Sequence, residues 1–129
     1  EARMVQVKIN KSNSNFFNGM EGSQLLVPVN HGEGKMIFPE HVSAKKIISD
    51  NLVPMQFCTN KGIEAKEFPE NPNGSSNGIT AVTNDDGRFL IMMPHPERSF
   101  LNNQLSWTNE KGKHSPWFKL FLNARNFYS

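Results

Sequence analysis

Cysteine is almost absent from this chain, since Cys58 is the only one among 129 residues. A single thiol cannot close an internal disulfide, which excludes a disulfide-stabilised secreted scaffold and makes a reducing cytoplasm the expected location. The sequence also lacks any apolar run approaching the roughly 20 residues of a membrane-spanning helix. The first residues show a strand-like alternation rather than the pattern of a signal peptide, so we expect none. We therefore expect no membrane partner.

A clustered charge of one sign is lacking as well. The 14 Lys and Arg residues nearly balance the 12 Asp and Glu residues, for a net charge of +2, and both signs are scattered. Nucleic-acid binding needs a basic face that displaces phosphate counterions, so we expect no nucleic-acid partner. What is present is apolar material for a core: 36% hydrophobic residues, with ten Phe and two Trp. We expect one domain over residues 1–129.

Apolar patterning predicts a mixture of strands and helices. Asp85-Asp86-Gly87 is typical of a hairpin turn, and Ser115-Pro116 is typical of a helix start. The run 90–93 is apolar without alternation, which predicts a strand buried on both faces. The helices are few for so many strands, which indicates an α/β fold that is part of a larger domain. Strands are predicted at 2–9, 25–29, 35–38, 52–58, 63–68, 79–83 and 88–93, and helices at 40–50 and from 117 onward.

The segment Pro94-His95-Pro96-Glu97-Arg98 is the strongest candidate site. It directly follows an apolar strand, and catalytic groups of α/β sheets lie beyond strand ends. Two prolines stiffen a segment in which His95 and Glu97 stand two residues apart. A carboxylate in that position could orient the imidazole and stabilise its cation, as in a nucleophilic triad. The alternative is a surface histidine beside a solvated ion pair of Glu97 with Arg98.

A second candidate is the segment Asn30-His31-Gly32-Glu33-Gly34. Its glycines permit close approach of a ligand to the backbone, although an ordinary tight turn explains the same pattern. The chain contains two His-x-Glu units, as zinc deaminases do, but it lacks the downstream cysteine pair that completes a deaminase metal site. A site of histidines and carboxylates stays open as an alternative without a spacing signature.

Cys58 is a poor candidate nucleophile. A reactive thiol is typically found at a strand-to-helix turn, where helix amides lower its pKa. Cys58 lies within a predicted strand, with no flanking glycine and no following helix. A packed structural cysteine is the better interpretation.

Several motifs, in order and over nearly the whole chain, resemble the C-terminal end of the large single-chain phosphoribosylformylglycinamidine synthases. Each motif alone is modest evidence, but their order and spacing together are specific. They are Glu1-Ala2-Arg3, Gly19-Met20-Glu21-Gly22-Ser23, His31-Gly32-Glu33-Gly34, Asn71-Pro72-Asn73-Gly74-Ser75, Asn77-Gly78-Ile79, Ile91-Met92-Met93-Pro94-His95-Pro96-Glu97-Arg98, Ser106-Trp107, Ser115-Pro116-Trp117 and Asn123-Ala124-Arg125.

The resemblance implies the C-terminal half of a class I glutamine amidotransferase-like (flavodoxin-like) domain, with a mixed sheet, hairpins and a C-terminal helix. It implies that His95 and Glu97 complete a Cys-His-Glu triad. The half that bears the cysteine lies outside residues 1–129, so we expect these residues alone to be inactive. By the same resemblance, Asn30, His31 and Gly32 help to bind glutamine.

The resemblance also implies how the domain serves its enzyme. Ammonia from glutamine passes to synthetase domains, which are the remaining partners, and ATP and magnesium are expected there with no cofactor in this part. The alternative is a non-catalytic structural or docking module of a larger synthase. In that case His95 and Glu97 would lie far apart or face bulk solvent.

Overall fold

A five-stranded sheet is the centre of the structure, a computed structural model that describes residues 2–30, 36–72, 74–99 and 114–128. All four strand pairs within these ranges are antiparallel, in the spatial order β2-β1-β3-β4-β5. The elements are β1 (Ala2–Ile9), β2 (Gln24–Asn30), α1 (Ala44–Ser49), β3 (Met55–Phe57), β4 (Ile79–Thr83), β5 (Leu90–Met92) and α2 (Phe118–Tyr128).

The sheet curls, so that its two ends come together. β2 and β5 stand at opposite ends of the strand order. Just beyond β5, the backbone N–H of His95 donates to the carbonyl of Pro28 in β2, at 2.8 Å. The strand ends that carry both candidate segments therefore lie side by side, which neither segment's sequence reveals alone.

One face of the sheet builds the core. In β1, Val5, Val7 and Ile9 are buried while the residues between them are partly exposed, as the alternation in the sequence predicts. They form one cluster with apolar residues of β2 and β3 and with Trp117 and Leu120. The cluster fixes the register of β1 and β2, because a slip by one residue would turn the buried valines to the other face.

The C-terminal helix α2 closes the core, as predicted. Trp117, which directly precedes the helix, and Leu120 within it are both buried in the core. The side-chain amide of Asn123 donates to the carbonyls of Phe16 and Asn18, at 2.9 and 2.8 Å, which ties the helix to the loop after β1. Within the described ranges no helix has the length and apolar character needed to cross a bilayer.

The strands predicted at 52–58 and 88–93 are shortened to β3 and β5, and three further predicted elements differ from the observed ones. The helix predicted at 40–50 is shortened to Ala44–Ser49, because the Ser43 hydroxyl accepts from the Lys46 N–H and begins the helix there. The strand predicted at 35–38 is not formed at 36–38, the part of it that the structure describes. The strand predicted at 63–68 is reduced to a single bridge between Glu64 and Cys58.

The prediction that residues 90–93 form a strand buried on both faces is wrong. β5 is the end strand of the described sheet. Leu90 and Met92 pack against the core, whereas Ile91 on the opposite face is 65% exposed. An uninterrupted apolar run predicts two covered faces, but here only one face of the strand is covered by the described residues.

The predicted hairpin turn between β4 and β5 is present and depends on Gly87. This residue has φ +73°, and a Cβ built on it would lie 1.8 Å from the Asn13 carbonyl oxygen. Its own carbonyl accepts from the Asn15 N–H at 3.0 Å. The turn is therefore pressed against the loop after β1.

Candidate functional site

His95 and Glu97 form a direct side-chain pair. His95 Nδ1 lies 2.7 Å from Glu97 Oε1. The His95 side chain is 33% exposed and that of Glu97 is 55% exposed. The two groups predicted to act together are therefore in contact and open to a ligand, while their catalytic roles stay a prediction.

A 3-10 turn brings the two side chains together. The sequence predicts a stiff extended segment, but Pro96–Arg98 form a turn that begins at His95. The His95 carbonyl accepts from the Arg98 N–H and the Pro96 carbonyl from the Ser99 N–H, both at 3.0 Å. Proline suits this position, because its fixed φ matches a first helical residue and its missing N–H has no partner to lose there.

β2 holds the turn at its start. The Pro28 carbonyl accepts from the His95 N–H, so this carbonyl points away from β1. Because proline has no N–H, no backbone donor is left unpaired at this edge of the strand. Asn30 ends the same strand two residues later and is exposed. A strand advances roughly 3.3 Å per residue, which brings Asn30 into the neighbourhood of the turn. His31 and Gly32 lie outside the described residues.

The pair has the arrangement of an acid–base group. A carboxylate can only accept, so the Nδ1–H of His95 donates to Glu97. This assigns the tautomer in which Nε2 carries the free lone pair. Glu97 fixes the ring and stabilises the positive charge that His95 gains when Nε2 takes a proton. The arrangement can therefore move a proton at Nε2 for a nucleophile placed against it.

Cys58 lies in a different environment. It follows β3, at the centre of the sheet, and is fully buried. Burial raises the pKa of its thiol, an effect that the nearby Lys8 charge only partly offsets. The small cavity beside it, of about 190 Å³, is lined by Arg3, Gln6 and Glu70 among others. The neutral thiol is the stable form, and it is a poor nucleophile.

The alternative of a metal site has no supporting cluster of ligand side chains among the described residues. No three histidine, cysteine or acidic side chains within 2–30, 36–72, 74–99 and 114–128 are placed to hold an ion. Of the two His-x-Glu units, His31 and Glu33 fall outside these ranges. His95 and Glu97 contact each other rather than a third ligand among the residues described.

Two buried serines and a tryptophan lie behind the turn, and no sequence pattern indicates a functional role for them. The Ser115 hydroxyl donates to the Ser99 carbonyl and accepts from the Trp117 N–H at 3.2 Å. The Trp117 indole donates to the Leu26 carbonyl of β2 at 2.7 Å. The sequence predicts only a helix start at Ser115 and a helix from 117 onward, because a pattern along the chain does not show contacts across it.

Comparison with known proteins settles the family. Residues 1–128 match the CobB/CobQ-like glutamine amidotransferase domain. The chain belongs to this family. A glutamine amidotransferase domain thus accounts for nearly every residue, including both candidate segments.

The amidotransferase fold is also seen in a solved structure. The chain resembles the structure titled "Structure of PurLQS from Thermotoga maritima", with a TM-score of 0.67 and 22% sequence identity. The match covers 100% of this chain and 48% of that one, so the chain spans about half the length of the solved protein. The predicted glutamine amidotransferase-like α/β fold with a C-terminal helix is confirmed.

Proposed function

We propose that this chain is the C-terminal part of the glutamine amidotransferase domain of a phosphoribosylformylglycinamidine synthase, an enzyme of purine biosynthesis. In it, His95 is the acid–base group, Glu97 orients it, and the cysteine nucleophile comes from a segment outside these 129 residues. The observation that carries the proposal is the 2.7 Å contact between His95 and Glu97 at the rim of an amidotransferase fold.

The environment of Cys58 supports an external nucleophile. Attack on an amide needs an accessible thiolate, whereas Cys58 is fully buried and its pKa is raised. His95 is partly exposed and its Nε2 is not used in the contact with Glu97. The base is therefore open to a thiol that approaches from another part of the enzyme.

The proposed reaction has two steps. The thiolate attacks the side-chain amide carbon of glutamine, a C–S bond forms, and the C–N bond breaks as His95 gives its Nε2 proton to the leaving nitrogen. Ammonia departs, and a γ-glutamyl thioester remains. Water then adds to the thioester while His95 takes a proton from it, the thiolate leaves, and glutamate is released, which restores the thiolate and the imidazolium.

Glutamine binding is proposed for Asn30, His31 and Gly32. Asn30 ends β2 two residues beyond Pro28, whose carbonyl accepts from the His95 N–H. A glutamine whose amide carbon lies at His95 would extend past this strand end. There the Asn30 amide can donate and accept bonds with the α-amino and α-carboxylate groups.

The remaining domains complete the proposed enzyme. Ammonia released at His95 passes to an ATP- and magnesium-dependent synthetase domain, which converts formylglycinamide ribonucleotide to the amidine in the cytoplasm. The solved chain of similar fold is about twice as long as this one, which is consistent with further residues in the proposed amidotransferase domain.

The test is to measure both ammonia sources in the intact enzyme. His95→Ala should lower glutamine-dependent turnover by roughly 10³-fold, within the range that acid–base groups contribute. Turnover with added ammonium should stay within about twofold, because ammonia needs no hydrolysis of glutamine. The exposed His41 provides the matched control, and His41→Ala should change neither activity. Equal loss of both activities in His95→Ala would indicate a structural role instead.

A further inference from the structure

The segment 95–99 is held at both ends. At its start, the His95 N–H donates to Pro28 at 2.8 Å. At its end, the Ser99 carbonyl accepts from the Ser115 hydroxyl, sixteen positions further along the chain. Ser99 and Ser115 are both buried. The His95–Glu97 pair thus lies on a short bridge with two anchors, one on β2 and one on the segment that begins α2.

The second anchor returns to β2. The Ser115 hydroxyl also accepts from the Trp117 N–H at 3.2 Å, so both hydrogen-bonding roles of this hydroxyl are used. Trp117 is buried in the core, and its indole donates to Leu26 at 2.7 Å. Leu26 and Pro28 are two residues apart in β2, so their carbonyls point to the same edge of the strand. The bonds therefore form a closed ring from β2 through the turn and back to β2.

The ring has a consequence for the base. His95 and Glu97 are both partly exposed and can keep their contact even if the turn moves as a unit. What the ring fixes is the position of that pair relative to β2, where the substrate would lie. A displacement of about 1 Å is enough to cost a reaction up to 10²-fold.

We propose that Ser115 is a positioning residue for glutamine hydrolysis, acting through the Ser99 carbonyl to hold the His95–Glu97 turn against β2, with Trp117 as its fixed support. This inference rests on the proposed function. Ser115 touches neither substrate nor the reacting thiol. It acts by keeping the His95 imidazolium close enough to the catalytic thiol to stabilise the thiolate.

The test variant is Ser115→Ala in the intact enzyme. Its matched control is Ser14→Ala, because Ser14 is also a buried serine whose hydroxyl accepts from the N–H two residues on, Phe16, at 3.2 Å. Ser14 lies in the loop after β1 and makes no bond to the 95–99 segment. Both variants lose a buried hydroxyl and the bond that it accepts from the N–H two residues on. Only Ser115→Ala also loses the bond to the Ser99 carbonyl.

Three measurements separate positioning from stability. Ser115→Ala should lower kcat for glutamine by roughly 10- to 100-fold with KM within about threefold. Ammonia-dependent turnover should be unchanged. The pH midpoint for iodoacetamide alkylation of the catalytic thiol should rise, because a misplaced imidazolium no longer stabilises the thiolate. Ser14→Ala should match the wild type in all three.

Some results would overturn the proposal. Equal effects of Ser115→Ala and Ser14→Ala would mean that only a buried hydroxyl matters, and an unchanged alkylation midpoint in Ser115→Ala would exclude positioning. If Ser115→Ala does not fold, Trp117→Phe removes the indole donor while keeping an aromatic ring in the core. It should lower kcat in the same direction by roughly 3- to 10-fold, in proportion to a smaller displacement, and wild-type kinetics would exclude the role. A fully active His95→Ala would instead refute the proposed function itself.

Discussion

Two residues of this chain could take part in cysteine–histidine chemistry, and the fold places them in opposite environments. Cys58 lies at the centre of the sheet, fully buried, with a raised thiol pKa. His95 lies at the rim, on a turn, partly exposed and 2.7 Å from a carboxylate. The centre stabilises a neutral, inert thiol, whereas the rim holds a partly exposed histidine in contact with Glu97.

The difference shows that reactivity here follows position rather than residue type. A strand at the centre of a sheet offers no free backbone donors, because its N–H groups are used in the ladder, and it excludes water. A turn at the rim offers both access and an orienting partner.

The double variant His95→Ala with Glu97→Gln tests whether the rim pair acts as one unit. We expect glutamine-dependent turnover to fall by roughly 10³-fold, no further than with His95→Ala alone, because Glu97 acts only through the imidazole. Steady-state kinetics of the two single variants and the double variant measure the coupling. Additive losses would show that Glu97 has a separate task.

Glu97→Gln alone should have a smaller effect. The amide keeps a similar shape but cannot stabilise the imidazolium, and we expect roughly a 10²-fold fall in glutamine-dependent kcat. Ammonia-dependent turnover should be unchanged. Wild-type glutamine turnover in this variant would remove the carboxylate from the mechanism.

Cys58→Ser tests the centre. The substitution buries a hydroxyl in place of a thiol, and we expect a loss of about 1–3 kcal/mol in the stability of this domain. Hydrogen exchange at the β3 amides would measure it, with Cys58→Ala as the apolar control. The kcat for glutamine should stay within about twofold. A collapse of glutamine turnover in both variants, with ammonia-dependent turnover intact, would contradict an inert Cys58.

The raised pKa of Cys58 predicts a small loss of stability at alkaline pH. The folded state disfavours the thiolate, so the unfolded state releases the proton first. The contribution is complete below the unfolded pKa, about 8.5, and is lost as the pH rises through the folded value. Comparing hydrogen exchange of wild type and Cys58→Ala from neutral to alkaline pH would detect this. Identical profiles would show that burial does not raise the pKa of the Cys58 thiol.

The sequence predicted those parts of the fold in which the local pattern and the packing agree. The alternation in β1 places one face in the core, and this strand forms as expected. The helix α2 also forms, but Leu120 is its only buried residue, and exposed apolar side chains remain at Phe121, Leu122, Phe127 and Tyr128. The strand predicted at 63–68 failed, because the pairing ends after a single bridge, in which Ile63 and Ala65 bond to Thr59 and Phe57. Strand propensity does not show whether a neighbouring edge is free.

The candidate site was predicted in part for a similar reason. A histidine and a glutamate two residues apart between prolines is a local signal, and the two side chains do meet. The bonds of His95 to Pro28 and of Ser115 to Ser99 join segments distant in sequence, and they depend on the curl of the sheet. No periodicity encodes that curl, so Ser115 and Trp117 carried only their structural signals.

The most direct test of the account is to find which cysteine carries the acyl group. The intact enzyme would be mixed with glutamine, quenched in acid during turnover, and digested for peptide mass spectrometry. The account predicts a γ-glutamyl thioester on a cysteine outside this chain, with Cys58 unmodified, and no thioester in His95→Ala. A γ-glutamyl group on Cys58 would contradict it.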